Sequence, residues 1–461
     1  MSAFNFRPRA LARCVAITWP CVCTIVAGCQ QKLPPDEVSA RIAAATGIDN
    51  AIQLDTVGGD IDVRADESAS VLTLDAALHA ALTNDPAIQA ALARVRVALA
   101  DAKQARLLPN PVLSVILRFP EGGGKTQVEA GLSADLLTLL QAPRRVDAAD
   151  KRLRVASAEV LTAAIDLVAS VQERYATAQS ADAELLVLRE RQRLTAKLLE
   201  LAKSRFAVGE SSRLDVITLD AERVSLDVEI AQAISQRRQE RLALARLMGE
   251  PSANAEWQLS PWLPVDLAVA NEADWVGAAL QHRPEIQAQR WELAALGDDV
   301  QLASAFDGAE VGVEAERDDK WAVGPSVSTP LPLFDWGQQR RAKAEAQRIE
   351  ARHRLTQTQR QIVEDVRRAV ESLGSAQSAL RQVQGQLIPL SDQRVQQAEA
   401  AYTNGSADVT SFLLAQQDAQ GARSKQIELQ QKVSTELFRL QRAVGGPGVV
   451  VTSVAPHPEK P

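Results

Sequence analysis

The feature that most constrains the fold of this chain is an internal duplication. The sequence PAIQA at residues 86–90 recurs 198 residues later as PEIQA at 284–288. A Phe-x-x-Gly motif at 206–209 recurs as Tyr-x-x-Gly at 402–405, now 196 residues on. Similar motifs in the same order are expected when one structural unit is repeated, and the small change of offset fits a two-residue loop difference. We therefore predict two copies of one unit, residues 72–249 and 275–445, joined by a linker at 250–274.

Each copy predicts the same order of helices around two short strands. A helix of moderate length is followed by the strands, a very long helix, a turn and a second moderate helix. The predicted helices are at about 72–107, 144–207 and 213–248, and then at 275–306, 337–402 and 409–444. At 1.5 Å per residue the long helix reaches roughly 96 Å, close to the roughly 108 Å of the two shorter ones placed end to end. The sequence thus predicts one long helix packed against two coaxial shorter helices in each unit.

A heptad pattern on the second long helix indicates how the helices pack. Apolar residues follow 4-3-4-3 spacing, which is typical of a seam between long helices. The seam is Ile362, Val366, Ala369, Leu373, Ala376, Leu380, Val383 and Leu387. Pro389 follows it and should kink the helix, because proline removes a backbone donor.

Four segments of alternating polarity predict the strands, at about 112–119, 126–136, 309–316 and 321–331. A tilted strand of nine to eleven residues is long enough to cross a bilayer. Phe119, Trp321, Phe334 and Trp336 lie near the strand ends, where aromatic residues mark membrane interfaces. The alternative is that the segments form two soluble hairpins of a small sheet. Four strands cannot close a barrel and lipid excludes open strand edges, so membrane strands would require several chains, with three supplying twelve strands.

The polar face of these strands is acidic. A barrel turns its polar face toward the lumen, so we expect lumen-facing carboxylates that favour cations over anions. Arg118 is the cation expected on the same face. The candidate lumen residues are Glu129, Asp135, Glu310, Glu314 and Glu316.

The N-terminus predicts export and lipid attachment. Three arginines precede an apolar run that is too short to span a bilayer, and the run ends in Val-Ala-Gly-Cys. This pattern resembles a bacterial lipobox, which would make residues 1–28 a signal peptide and Cys29 the acylated residue of a tether at 29–71. Gln30, rather than Asp, favours the outer membrane by the same resemblance. The alternative is an ordinary secretory signal with a chance cysteine.

Composition argues against several other classes of function. The net charge is −7, and loss of the three signal arginines leaves about −10, which disfavours nucleic-acid binding. All four cysteines lie within residues 1–29, so a downstream disulfide or thiolate site is not expected. The four histidines are scattered, so we expect no metal site, no cofactor and no enzyme activity. No run of about 18 apolar residues follows the signal, so no transmembrane helix is expected there. Residues 30–70 and the tail at 446–461 resemble poorly packed extensions. We interpret the Gly-Gly-Gly-Lys run at 122–125 as a turn and not as a phosphate-binding loop.

Three motifs on this duplicated frame resemble the TolC family of outer-membrane efflux proteins over residues 72–445. They are LLPNP at 107–111, LPLFDWG at 331–337, and IPL at 388–390 followed by AYxxG at 401–405. The resemblance implies a mainly α chain with a small membrane β-barrel contribution. It also implies a homotrimer with one shared 12-stranded barrel and an α-helical periplasmic tunnel, working with a periplasmic adaptor protein and an inner-membrane pump. The PNP motif and Arg144-Arg145 are most similar to the heavy-metal-efflux branch.

The same resemblance places adaptor docking and tunnel opening at the two helical hairpin tips. The candidate tip residues are Phe206, Val208, Gly209, Tyr402, Asn404, Gly405 and Asp408, although these residues could simply form turns. Family members often narrow the entrance with aspartates after the second tip. Ser411 and Leu414 occupy those positions here, with Asp215 as the first-copy candidate, so an acidic ring is not expected there.

The sequence therefore predicts an outer-membrane channel subunit of a tripartite efflux system, a passive conduit for metal cations or small toxic compounds. One alternative with the same architecture is the exit duct of a type I protein-secretion system. A different class of alternative is a lipid-tethered periplasmic coiled-coil scaffold.

Overall fold

The computed structural model describes residues 35–48, 71–119, 121, 126–251, 255–262, 271–303, 309–317, 320–329 and 333–449. The predicted signal peptide, Cys29 and residues 450–461 of the predicted tail lie outside these ranges. The helices are α1 (Pro35–Thr46), α2 (Leu74–Asn84), α3 (Pro86–Ala105), α4 (Leu136–Ala207), α5 (Arg213–Leu247), α6 (Glu272–His282), α7 (Pro284–Leu302), α8 (Gln338–Gln382), α9 (Ile388–Thr403) and α10 (Val409–Val444). The strands are β1 (Val71–Leu72), β2 (Val112–Arg118), β3 (Gln127–Asp135), β4 (Gln258–Leu259), β5 (Glu310–Arg317) and β6 (Trp321–Ser328).

The helices form a wall around α4, which has 72 residues and is about 108 Å long. In the half of the wall nearer the strands, the order of neighbouring helices is α3, α4, α7 and α8. In the half farther from the strands, α5 packs on α4, α4 packs on α10, and α10 contacts both α8 and α9. The shorter helices stack end to end. Asn84 donates to the Met248 carbonyl between α2 and α5 (3.3 Å), and Arg283 Nε donates to the Ala443 carbonyl between α6 and α10 (2.9 Å).

The moderate helices that the sequence placed at 72–107 and 275–306 are each two helices, which corrects that prediction. Breaks at Asp85 and Arg283 precede Pro86 and Pro284, which occupy the first turn of α3 and α7. The Asp85 carboxylate caps α3 by accepting from the backbone N–H groups of Ala87 (2.7 Å) and Ile88 (3.1 Å). Proline disfavours a helical conformation in the preceding residue, and Asp85 and Arg283 are both extended, so each rod is interrupted there.

The long helices also differ from their predicted bounds. Helix α4 begins at Leu136, directly after β3, and accommodates Pro143 in its second turn. The second long helix, predicted at 337–402, is divided by a π-helix at Val383–Leu387, directly before Ile388-Pro389. Here the Ile388 N–H donates to the Val383 carbonyl, five residues back, and interruptions of this kind are common where helices bend.

A four-stranded antiparallel sheet lies at one end of the helical wall, in the order β2-β3-β5-β6. The register pairs Val115 with Ala130, Ala130 with Ala315, and Ala315 with Val323. Residues paired across strands share a face of the sheet. This row therefore forms one apolar face together with the residues two positions away along each strand. Two edges, β2 and β6, have no strand partner within the described chain.

Segments outside the duplicated helices are also packed, and residues 35–48, the described part of the extension expected at 30–70, correct the expectation of poor packing. Helix α1 buries Val38 and Ile42 against the core around α2 and α4, and the Gly448 N–H donates to the Ala45 carbonyl (2.9 Å). The linker pairs β4 with β1 in parallel. Arg241, 5 % exposed, donates to the Trp257 carbonyl (2.7 Å) and pairs with Asp182 (2.6 Å), which fixes the linker to α4 and α5.

One helix, α4, contains an 18-residue stretch that is long and apolar enough to cross a membrane, with a mean hydropathy of 1.4. It is not an uninterrupted apolar run, because Glu159 and Asp166 lie within the apolar part of α4. Half of that stretch is buried inside the protein, and α4 is more than three times longer than the roughly 30 Å hydrocarbon core of a bilayer. Its apolar residues serve the packing of the helical wall.

Candidate functional site: the hairpin tips and the polar sheet face

The first hairpin tip is a tight turn between α4 and α5. Gly209 has φ +82°, a conformation that side chains disfavour, and it lets the chain reverse after Val208. Ser212 caps α5 by accepting from the Asp215 N–H (3.1 Å), while the Asp215 carboxylate accepts from the Ser212 N–H (3.3 Å). This capping box makes Asp215 a structural residue of the turn.

The second tip, between α9 and α10, has the same design. Gly405 has φ +71°, and Asp408 caps α10 by accepting from the Ser411 N–H (3.0 Å) and hydroxyl (2.7 Å). These bonds, the hydroxyl first, hold the pKa of Asp408 below its ordinary value. The N–H and the hydroxyl of Ser411, which the sequence placed at the entrance, are thus both bonded within this cap.

Arg205 joins the two tips, and sequence reasoning missed it. Its guanidinium donates to the Tyr402 carbonyl (2.9 Å) and the Thr403 carbonyl (2.5 Å), at the C-terminus of α9. It also lies 5.6 Å from the centre of the Tyr402 ring. A cation is favourable at a helix C-terminus and over an aromatic face. The sequence held one signal of this role. Arginine precedes the Phe-x-x-Gly motif in the first copy, whereas Ala401 precedes the matching motif in the second.

A hydrophobic group behind the tips, the tip cluster, holds the hairpins together. It contains Leu198, Leu199, Ala202, Leu219, Tyr402, Val409, Phe412 and Leu413. Tyr402 is 4 % exposed, and its ring centre is 6.4 Å from that of Phe412. Burial, followed by the charge of Asp215, raises the pKa of Tyr402 above its ordinary value. Tyr402 is therefore an internal anchor of the tip.

The other tip candidates lie at the surface. Phe206 is 47 % exposed and Val208 is 70 % exposed, which makes an apolar patch at the end of the first hairpin. Asn404 and Gly405 are exposed at the second tip, and Leu414 is half exposed on α10. The structure brings the two turns side by side through Arg205 and the tip cluster.

All five carboxylates predicted on the polar strands share one face of the sheet. Glu129 pairs with Glu316, Gly131 with Glu314, and Asp135 with Glu310. Arg118 donates to Glu129 (2.8 Å), and Ser133 donates to Glu310 (3.0 Å). This face carries a net negative charge within the described strands.

The opposite face of the same sheet is apolar and exposed. Leu113 is 69 % exposed, Val323 is 68 % and Val327 is 75 %, and Phe119, directly after β2, is exposed as well. Monomeric proteins in water seldom expose a continuous apolar surface of this kind. A sheet with one acidic face and one exposed apolar face is the class of element found in membrane-embedded channels. Among the described residues, no group of three or more His, Cys, Asp or Glu side chains is arranged to hold a metal ion.

Comparison with known proteins identifies the family. The chain matches the outer membrane efflux protein family over residues 77–250 and 275–446. It therefore belongs to that family, a family of efflux channels rather than enzymes, and is an outer-membrane efflux channel subunit.

Relatives agree with this assignment. The chain is 26 % identical over 298 residues to the cobalt-zinc-cadmium resistance protein CzcC of Cupriavidus metallidurans, covering 62 % of this chain and 69 % of that protein. Its fold is similar to that of VceC from Vibrio cholerae, with a TM-score of 0.67 and 22 % identity over 81 % of this chain and 96 % of the other. It is also similar to CusC, with a TM-score of 0.66 and 18 % identity over 86 % and 98 % of the two chains.

Proposed function

We propose that three copies of this chain form one channel with a shared twelve-stranded barrel. The two-faced sheet carries this proposal: its apolar face needs lipid and its acidic face needs water. The backbone groups at the open edges of β2 and β6 need partners inside a membrane, and copies of the same sheet can supply them.

The helical wall supports the same assembly, because its two edges differ. Helix α5 packs mainly on α4 and presents an outward apolar stripe, of which Leu214 is 70 % exposed and Ile217 is 55 % exposed, continued by Val224 and Val228. The opposite edge, around the π-helix and α9, exposes Leu387 (45 %) and Leu390 (63 %). Two unlike edges that contact head to tail form a closed ring when the rotation between neighbouring copies closes. The ring would continue the barrel as a tunnel through the periplasm.

The channel is a passive conduit for metal cations or small toxic compounds. A lumen lined by Glu129, Asp135, Glu310, Glu314 and Glu316 would concentrate cations. The similarity to a protein named for cobalt, zinc and cadmium resistance supports metal cations as the substrate class.

The hairpin tips are the proposed entrance, which opens when the helical hairpins shift. A periplasmic adaptor would dock on the exposed tip residues Phe206, Val208, Gly209, Asn404 and Gly405, and an inner-membrane pump would deliver the substrate. Entrance lining is assigned to Leu414, which is exposed, because the other two candidates, Asp215 and Ser411, are engaged in the caps of α5 and α10. Lipid on Cys29 would hold the N-terminus at the outer membrane.

Ion selectivity is the direct test. The purified protein is reconstituted in planar bilayers, and its reversal potential is measured in a salt gradient, with mass measurement of the detergent complex. We expect trimers and a preference for cations, reduced when Glu314 and Glu316 are both changed to Gln. A protein that is monomeric without detergent after Cys29→Ser, or a channel that prefers anions, would refute the proposal.

A further inference from the structure

The seam between α4 and α10 has one level at which polar side chains are buried without partners. The two helices are antiparallel, and their register is set by bonds of Arg191 with Gln420, of Ser424 with Glu184 (2.7 Å) and of Gln431 with Thr177 (3.1 Å). Thr195 and Gln416 each lie one helical turn from the Arg191–Gln420 pair, at about the same level of the seam.

Both side chains are sealed inside the seam. Thr195 is 0 % exposed and Gln416 is 5 % exposed. The Thr195 hydroxyl and both polar atoms of the Gln416 amide are inaccessible and have no hydrogen-bond partner. Since these atoms have no accessible surface, a neighbouring subunit could not reach them in this arrangement. Burial of an unpaired polar group is destabilising, so the closed seam is weakened here.

A cavity of about 270 Å³, lined by both polar and apolar residues, lies beside this level between α4, α9 and α10. Its polar lining is formed by Arg191, Asp392, Gln396, Gln416, Gln420 and Arg423. The cavity is large enough for several water molecules. A small separation of α10 from α4 would therefore give the amide and the hydroxyl the hydrogen bonds that they lack.

Helices α9 and α10 are linked so that they can move as one unit. Arg394 pairs with Asp418, and Arg423 pairs with Asp392 (3.1 Å). The π-helix at Val383–Leu387 and Pro389 interrupt regular hydrogen bonding directly above α9. Such interruptions are common where helices bend.

We propose that Gln416 and Thr195 destabilise the closed seam and thereby set how readily the α9–α10 hairpin separates from α4. They act as positioning residues for the opening step. This inference rests on the proposed channel function. Filling the seam with apolar groups of similar size removes the unmet hydrogen-bonding demand and stabilises the closed form.

The test compares Gln416→Leu and Thr195→Val with Gln417→Leu, whose side chain is exposed on the next position of α10. Open probability is measured by single-channel recording, and thermal stability by the melting temperature. We expect the open-to-closed ratio to fall about tenfold in Gln416→Leu, which corresponds to about 1.4 kcal/mol. We expect a smaller fall in Thr195→Val, a higher melting temperature in both, and no change in the control.

Two outcomes separate this inference from the proposed function. If the wild-type protein conducts and Gln416→Leu and Thr195→Val both match Gln417→Leu, the role of the seam is refuted and the channel stands. If the wild-type protein does not conduct, the channel proposal fails. The melting temperatures then test whether Gln416 and Thr195 destabilise the closed seam. Equal or lower values for both variants than for the control would refute it.

Discussion

Replacing Arg205 should loosen the closed entrance, and the structure allows the size of the effect to be worked out. Arg205→Met keeps the apolar stem but removes two charge-assisted hydrogen bonds to the last carbonyls of α9 and the contact with the Tyr402 ring. A hydrogen bond to a charged group contributes about 1.5–3 kcal/mol when buried. One of these bonds is exposed, and exposure reduces its contribution. A combined loss of about 2 kcal/mol corresponds to a roughly 30-fold rise in the open-to-closed ratio.

Single-channel recording measures this ratio directly, and uptake of a large antibiotic by whole cells measures it in the membrane. Lys203→Met is the matched control, because Lys203 lies on the same turn of α4 and, among the described residues, its ammonium pairs with the exposed Glu200 (3.1 Å) and not with α9. Arg205→Lys should give an intermediate result, since an ammonium cannot span both carbonyls as a planar guanidinium does. If Arg205→Met opens no more often than Lys203→Met, the joining of the tips by Arg205 does not govern the entrance.

Three further changes test other parts of the structure. Arg241→Met should destabilise the protein by about 1.5–3 kcal/mol in chemical unfolding, because it removes the bonds of the buried guanidinium to the Trp257 carbonyl and to the half-buried Asp182. The double variant with Asp182→Asn should recover the part of this loss that comes from the unpaired Asp182, and additive losses would contradict the pairing. Gly312→Ala should prevent stable assembly, since its Cβ would lie 2.5 Å from the Leu132 carbonyl oxygen, whereas Gly324→Ala, with nothing within 4 Å, should assemble normally on gel filtration. The cap at Asp408 has a lowered pKa, so its contribution is present above the ordinary value of 3.8 and is lost as pH falls through the folded pKa. The protection factors of the amides at the start of α10, which correct exchange rates for the intrinsic effect of pH, should therefore be constant from pH 7 to about 5 and fall only below pH 4. A loss of protection near pH 6 would contradict this.

The parts of the fold that follow local periodicity were predictable from the sequence. The four strands lie within a few residues of their predicted bounds, because alternation directly records which face each residue takes. The heptad seam is buried from Ile362 to Ala376, but Leu387 at its end is 45 % exposed. The π-helix is the reason: an extra residue in one turn rotates the apolar stripe away from its partner.

The parts that depend on three-dimensional contacts could not be predicted. Helix α1 has no counterpart in the duplication, so only its packing against α4 shows that it belongs to the core. At the tips, the repeated glycines marked both turns, because a left-handed conformation favours glycine. The role of Arg205 depends on the distance between two turns that are 196 residues apart in the sequence, and no local pattern encodes that distance.

Arg205 and Gln416 act on the same closed seam with opposite sign, and this leads to a last prediction. Arg205 stabilises the closed tips, whereas the unpaired Gln416 amide destabilises the wall behind them. Arg205 and the level of Thr195 are ten residues apart on α4, about 15 Å. Effects at sites this far apart usually add. The double variant Arg205→Met with Gln416→Leu should therefore have an open-to-closed ratio about threefold above that of the wild type, the product of a roughly 30-fold rise and a tenfold fall. A double variant that opens as often as Arg205→Met alone would show that Arg205 controls the entrance without the seam.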